Sequence, residues 1–344
     1  MIISKTPFRV SLFGGGSDYP EWFEQNGGAC ISTTIDKYCY IHCKNLSPFF
    51  DYNYRIVWSK TEQVQTIEEI QHPSVREGLR FLGIKNGLEI HHDGDLPARS
   101  GLGSSSAFTV GLLNCLYALK GKKVSKDQLA RDAIFVERNL IKENVGLQDQ
   151  VATAVGGFNR IEFGGKESFK VYPIQVPKQR LKDLNAHLML FFTGFTRTAS
   201  DIAAEQIRLV GSKEREMLKM LDLADQAEGV IADNKTPLRD LGELLHESWM
   251  IKRDLSSLIT NTNIDQTYQK ALKAGAWGGK ILGAGGGGFM LIFAPPENQK
   301  NIRSALKDLL HVGFNLENEG SQIIVHNPQL STPIEGDSHK DLSS

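Results

Sequence analysis

The chain has 344 residues, of which 40% are hydrophobic and 23% charged, with a formal net charge of −1. These proportions fit a globular protein of one large domain or two. The near-neutral balance gives no general attraction to nucleic acid or to an anionic membrane surface, so an acidic ligand would need a local basic pocket.

No run of about 18 apolar residues occurs, so no transmembrane helix is expected. The opening Met-Ile-Ile-Ser-Lys reads as a strand and not as the apolar core of a signal peptide. Four cysteines, Cys30, Cys39, Cys43 and Cys115, form no disulfide framework, and a reducing cytoplasm is the expected setting. The first 60 residues are β-rich, with Ile31–Cys43 dense in Ile, Thr, Tyr and Cys. Cys39 and Cys43 flank His42 at a spacing that could hold a ligand, but alternating strand faces explain the same pattern.

Residues 97–107 read Pro-Ala-Arg-Ser-Gly-Leu-Gly-Ser-Ser-Ser-Ala and lead into an apolar run. A helix start presents unpaired N–H groups and the positive end of the macrodipole, which together suit an anion. Gly101 and Gly103 let backbone come close to a ligand. Ser104, Ser105 and Ser106 can cap the helix, bond phosphate oxygens or ligate magnesium. The reading is a phosphate cradle, with an ordinary Gly-Ser turn as its plain alternative. It is neither a Walker loop nor a Rossmann fingerprint, because the lysine and the third glycine are missing. Phe108, Leu112, Cys115, Leu116 and Leu119 then define one helical face, stopped at Gly121.

Ser125 to Gln128 predicts a capping box opening a second helix, with Leu129, Ala133, Val136, Leu140 and Ile141 on its apolar side. Residues 156–176 return to strands, with turns at Gly156-Gly157 and Gly164-Gly165. Pro177-Lys-Gln-Arg180 reads as a linker between an N-terminal domain, 1–180, and a C-terminal domain, 181–344. In the latter, a strand over 187–192 precedes helices over roughly 200–232 and 238–259. Next come a glycine-dense loop over 278–288 and a strand over 289–294. A polar tail from about residue 330 is expected to be disordered.

Three glycine-rich segments together resemble the GHMP superfamily of small-molecule kinases. Thr6-Pro-Phe-Arg-Val-Ser-Leu-Phe-Gly-Gly-Gly-Ser-Asp-Tyr19 is similar to the opening motif of galactokinases. Gly101–Ala107 is similar to the family's G-L-G-S-S-A. Gly283-Ala-Gly-Gly-Gly-Gly288 is similar to its C-terminal glycine loop, the segment implied to support the cradle. The resemblance implies an α+β fold of two domains with the active site in the cleft between them. It also implies ATP and Mg2+ as the nucleotide and ion.

Glu137 and Asp149 stand twelve residues apart, as in galactokinase-like members. The resemblance makes Glu137 and Ser106 the magnesium ligands, and makes Asp149 the carboxylate facing the acceptor hydroxyl. It sets Arg9 beside Asp149 to stabilise the transferring phosphoryl group. The ATP phosphates would lie on Arg99, Gly101, Leu102, Gly103, Ser104, Ser105 and Ser106. Read singly, Glu137 could sit on a solvated charged face, Asp149 at a helix start and Arg9 on a surface.

Where galactokinases carry Glu-His, this chain has Gly15-Gly16, removing bulk and a negative charge. The pocket is therefore expected to take a larger, anionic sugar, although the two glycines also read as a tight turn. The run F-R-V-S-L-F-G-G-G-S-D-Y-P resembles the heptose 7-phosphate kinase branch. The L-fucose kinase branch, with G-G-W-S-D, is the alternative, and a non-catalytic sugar sensor is a second. Gly15, Gly16, Ser17 and Asp18 are expected along the sugar, with Arg197 and Lys280 as candidates for clamping its phosphate. Trp58 is a candidate wall of the base pocket, or simply core. The expected partner is a small-molecule sugar phosphate, with no nucleic acid or membrane, and the chain is expected to be a monomer or homodimer.

Overall fold

The computed structural model describes residues 1–47, 49–166, 168–194 and 199–327. The first half runs β1 (Ile2–Phe13), α1 (Pro20–Asn26), β2 (Gly28–Asn45), β3 (Tyr54–Val57), β4 (Thr61–Val64), α2 (Pro73–Leu82), β5 (Leu88–Gly94) and α3 (Ser104–Leu119). It continues through α4 (Lys126–Phe135), a π-helical segment (Val136–Ile141), α5 (Gln148–Val155), β6 (Asn159–Gly164) and β7 (Ser168–Pro173). The second half begins with α6 (Lys178–His187), β8 (Leu188–Phe192), α7 (Ala199–Val210), α8 (Glu214–Ala232), α9 (Leu238–Arg253) and α10 (Thr262–Lys273). It ends with β9 (Gly278–Ile281), β10 (Phe289–Phe293), α11 (Gln299–Ala305), β11 (Leu310–Val312), β12 (Leu316–Glu317) and β13 (Gln322–His326).

The larger sheet follows the order β13-β1-β2-β5-β3-β4, with β6 and β12 also on β2 and β7 on β6. Its pairings are antiparallel apart from β3 with β5. The smaller sheet is β11-β8-β10-β9, antiparallel throughout. From Thr6 onward β1 is buried at every position, with no polar-out alternation. The cause is cover on both faces: α3 and α5 contact β1, and so do α8 and α9 from the second half. Strands β12 and β13 also return to the larger sheet, so residues 316–326 pair with the half of the chain that precedes residue 180.

Helix α3 follows the predicted face and stops where expected, with Gly121 at φ +67°. It is buried more widely than one stripe, because it lies between the sheet and α2, α4 and α5. At Gly111 a Cβ would meet Thr6 Oγ1 at 2.8 Å, so the glycine sets how closely helix and sheet approach. Ser125 caps α4 by accepting from the Gln128 backbone N–H. Only this half of the capping box is present, since the Gln128 side chain donates to Asp132 instead.

Two expectations are corrected. Residues 177–180 are not a linker: Pro177 is the N-cap of α6, and buried Arg180 donates to the Val230 carbonyl. Residues 278–288 are not all loop, because Gly278–Ile281 forms β9. A Cβ at Gly278 would lie 2.0 Å from the Gly242 carbonyl of α9, so glycine there permits helix and strand to touch. The cysteine pattern belongs to strand alternation: Cys39 and Cys43 are buried in the core, while His42 lies 3.6 Å from Asp93. Arg197 and the tail from 328 lie outside the described residues. Among the described residues no helix is long and apolar enough to cross a membrane.

Candidate active site

A cleft of about 280 Å³ opens between the start of α3, the start of α5, the turn after β1 and the faces of α7 and α9. It is lined by Arg9, Ser11, Gly15, Gly16, Asp18, Arg99, Gly101, Gly103, Ser104, Ser105, Ser106, Gln148 and Asp149 from the first half. From the second half come Gln206, Lys252, Gly283 and Ala284.

Arg9, near the middle of β1, is almost fully buried. Its Nε and Nη2 donate to Oδ1 and Oδ2 of Asp149, each at 2.7 Å, and its Nη1 donates to the Gly101 carbonyl at 2.7 Å. One guanidinium thus ties the carboxylate to the cradle in the fork geometry that arginine supplies and lysine does not. The Asp149 side chain is 30% exposed against 4% for Arg9, so the carboxylate is the member that faces the cleft. Asp149 sits in the first turn of α5.

The cradle is backbone packed on backbone. Gly101 has φ +85°, and a Cβ there would meet the Leu282 carbonyl at 2.4 Å. A Cβ on Gly283, at φ +70°, would meet Gly101 Cα at 2.6 Å. The third glycine loop therefore lies against the cradle. Gly103 is the N-cap of α3, and Ser104 Oγ accepts from the Arg99 N–H at 3.0 Å. Ser105 is exposed and Ser106 buried. Leu102 differs from its neighbours: its side chain is core, and only its carbonyl serves the site, accepting from Arg9 N.

Glu137 is fully buried on the π-helical segment. Its Oε2 accepts from Ser106 Oγ at 2.9 Å and from the Gln150 amide, while its Oε1 has no hydrogen-bond partner. Burial pushes this carboxyl up to about 7, with the Thr109 hydroxyl and the Gln150 and Ser106 hydrogen bonds opposing the shift and nearby Glu143 adding to it. An orphaned buried carboxylate oxygen beside a cradle serine fits a hard cation, which takes oxygen ligands and keeps several waters.

Asp18 is buried and held by backbone: Oδ1 accepts from Gly16 N at 2.9 Å and Oδ2 from Gln148 N at 3.3 Å. Burial, and then the charge of Asp149, raise its pKa. It joins the glycine turn to the start of α5 while lining the cleft. Two predicted substrate residues lie elsewhere. Ser17 is fully buried and bonds the Gly14 and Ala29 carbonyls, which closes the turn. Lys280 faces inward from β9 and donates to the Leu12 carbonyl at 2.9 Å, joining the two sheets. Trp58 donates to Glu62 and packs edge-on to His72, and it is not among the residues lining the cleft.

The sequence reading missed Lys252, Gln148 and Gln206. Lys252 Nζ donates to the Gly283 carbonyl at 2.6 Å, and burial lowers its pKa to about 8, with Arg9 contributing. A signal existed: Leu241, Leu245, Ser248, Trp249 and Lys252 share one stripe of α9, and a lysine on an apolar stripe is out of place. Gln148 exchanges hydrogen bonds with Ser11, and Gln206 donates to the Ala284 carbonyl, which fastens α7 to the glycine loop.

A helix N-terminus beside a carboxylate–guanidinium pair, with a buried glutamate behind, is the apparatus of a phosphotransferase acting on an alcohol group. Comparison with known proteins gives the same class. The GHMP kinases N terminal domain matches residues 66–157, and the GHMP kinases C terminal family matches residues 234–312. This chain belongs to the GHMP kinases. The D-glycero-alpha-D-manno-heptose 7-phosphate kinase of Campylobacter jejuni is 27% identical over 320 residues, 89% of this chain and 93% of that protein. A galactokinase of Pyrococcus furiosus is 24% identical, over 89% and 92%. A crystal structure of a D-glycero-D-manno-heptose 1-phosphate kinase from Bacteroides thetaiotaomicron has the same fold, with a TM-score of 0.76 and 22% identity over 93% of this chain and 98% of that one.

Proposed function

We propose that this chain transfers the terminal phosphoryl group of ATP to the anomeric hydroxyl of D-glycero-D-manno-heptose 7-phosphate, giving the 1,7-bisphosphate. It is a sugar kinase of the GHMP family. The finer reading, substrate and position, rests on the family relationship and on one observation: the exposed carboxylate of the Arg9–Asp149 pair shares a cleft with the side-chain-free Gly15-Gly16 turn. Galactokinases fill that turn with Glu-His, and its emptiness leaves room for a longer, anionic sugar.

In this reading Ser104, Ser105, Ser106 and the N-terminus of α3 hold the ATP phosphates. The acceptor hydroxyl donates to Asp149, which takes its proton as the new oxygen–phosphorus bond forms. Arg9 orients that carboxylate and offsets charge on the transferring group. Glu137 and Ser106 would hold magnesium, which when bound neutralises phosphate charge. Asp18 and Gly15-Gly16 border the sugar. We also place the division between the two halves near residue 180, with residues 316–326 crossing back.

A screen of ATP consumption tests the reading over heptose 7-phosphate, mannose, fucose, galactose and their phosphates, with phosphorus NMR of the product. Heptose 7-phosphate should give the highest kcat/KM and an anomeric phosphate signal. Preference for an unphosphorylated hexose or for L-fucose would overturn it.

A further inference from the structure

Lys252 is a cationic feature of the cleft that neither the motifs nor the proposed reaction uses. Its amine is 5% exposed as a residue yet lines the cleft, brought there by α9 of the second half. One N–H is spent on the Gly283 carbonyl. An ammonium has three donors, so two are left for a ligand. The location is specific. Gly283 packs on Gly101, whose carbonyl accepts from Arg9, so two cations are bonded to the two glycines that touch. Asp149 lies 2.7 Å from Arg9 and beside Gly103. A lysine buried at such a point loses hydration, and a bound anion would make good that loss.

We propose that Lys252 binds a non-bridging oxygen of the phosphoryl group being transferred, as a second cation alongside Arg9. This rests on the phosphotransfer reading above. In that step the acceptor oxygen bonds to the terminal phosphorus of ATP and the bond from phosphorus to the β–γ bridging oxygen breaks. That electron pair leaves with ADP, and the hydroxyl proton passes to Asp149. Negative charge spreads over the oxygens of the transferring group, and a fixed cation there acts without reorganising. Because α9 delivers the lysine while β1 delivers Arg9, the two cations come from different halves of the chain.

The charged groups around Lys252 set its pH response. Burial dominates and Arg9 on β1 opposes its charge, while Asp18, Cys30 and Asp149 favour it, leaving the amine at about 8; Lys280 on β9 is itself lowered by burial and then by the charge of Lys252. The ammonium is the active form, so kcat/KM for ATP, which follows the ligand-free enzyme, should fall as pH rises through that value.

The test uses the full chain, wild type beside Lys252→Met and Lys252→Arg, with thermal melts to confirm folding. Lys252→Met should lower kcat by about 10²–10³-fold, the usual loss for one transition-state donor. It should weaken the imido analogue of ATP several-fold and leave ADP affinity within twofold. Lys252→Arg should recover at least tenfold of the lost turnover and abolish the fall in kcat/KM near pH 8, because a guanidinium stays charged. A kcat within threefold of wild type in Lys252→Met would overturn the proposal. So would equal losses of analogue and ADP affinity, which would mean that the lysine only seats the Gly283 loop. Failure of the wild type to phosphorylate any sugar would overturn the sugar-kinase reading instead, and the analogue-against-ADP comparison would still decide for or against Lys252.

Discussion

Arg9 and Asp149 form a two-pronged ion pair across 140 residues of chain, with both nitrogen–oxygen distances at 2.7 Å. The third guanidinium nitrogen fixes the pair to Gly101, so the position of the carboxylate is set by the same loop that would hold the nucleotide. The carboxylate proposed to face the acceptor and the loop proposed to hold the donor are thereby joined through one guanidinium. Phosphoryl transfer depends on in-line positioning more than on covalent chemistry, and such coupling serves it.

Replacing Asp149 with Asn should cut kcat by roughly 10²–10⁴-fold, the range for a positioned proton acceptor. The amide keeps the size of the side chain and one acceptor oxygen for Arg9, but takes no proton at neutral pH. Isothermal titration should show ATP binding retained. Turnover within threefold of wild type would assign Asp149 to the α5 start alone.

Glu137 predicts a stability signature in magnesium-free protein. Its folded pKa, about 7, is above that of an exposed glutamate, so the folded state keeps a proton that the unfolded chain releases. Folding stability from this group is present at low pH and declines as pH rises from the unfolded value toward 7. A single proton gives a slope of at most about 1.4 kcal/mol per pH unit. Glu137→Gln should flatten the fall in denaturation midpoint between pH 5 and 7, while Asp18 keeps part of the slope through its own raised pKa. An identical pH profile in both proteins would mean that the carboxyl is ionised throughout. The same variant should require more magnesium for half-maximal rate if Glu137 is a ligand.

Much of the fold could be read from local pattern, and its misreadings share a physical cause. The helix after the cradle was legible because apolar spacing, the three serines and Gly121 agree. The resemblance points to Glu137, but not to the π-helical segment Val136–Ile141 that carries it, since a widened turn leaves no spacing signature. Pro177-Lys-Gln-Arg looked like a linker because α6 buries few side chains, with Arg180 and Leu184 fully buried among them. Gly278-Gly279 looked like loop, whereas their missing Cβ atoms admit the carbonyls of Gly242 and Leu291. Ser17 and Lys280 sit in or beside the right motifs but point inward, because a motif fixes the backbone and not the side on which each residue emerges. The return of β12 and β13 to the larger sheet is a long-range pairing of short strands, for which no local signal exists.

The contact between the two glycine loops predicts that small changes there are severe. Gly283→Ala puts a Cβ 2.6 Å from Gly101 Cα and 3.1 Å from its carbonyl oxygen, at a φ that L residues rarely adopt. The left-handed conformation alone costs about 1–2 kcal/mol, and the backbone clash adds to it. Gly283→Ala should lower stability by about 2 kcal/mol or more and raise the KM for ATP. Gly211→Ala is the control, because a Cβ there meets nothing within 4 Å. Equal melting temperatures for the two variants would show that the loops can separate freely.

Of the three glycines after β1, Gly15 is the one that can accept a side chain. A Cβ on Gly14 would lie 1.9 Å from the Ala29 carbonyl, and Gly14 and Gly16 have φ of +75° and +105°. Gly15 has no such strain, and its nearest neighbours are Ser11 Oγ at 3.2 Å and Gln148 Oε1 at 3.8 Å, both side-chain atoms on the cleft wall. Gly15→Glu should therefore fold and place a carboxylate beside the proposed sugar. Two like unit charges about 4–6 Å apart repel by roughly 3–4 kcal/mol at an effective dielectric near 20. A phosphorylated heptose should then lose kcat/KM on the order of a hundredfold more than an unphosphorylated hexose, provided that the repulsion persists in the transition state. The measurement is the ratio of the two efficiencies in wild type and variant, repeated at high salt, where an exposed repulsion shrinks and a steric block does not. Equal losses on both sugars would confine Gly15 to the turn and remove the physical support for a phosphate at that end of the substrate.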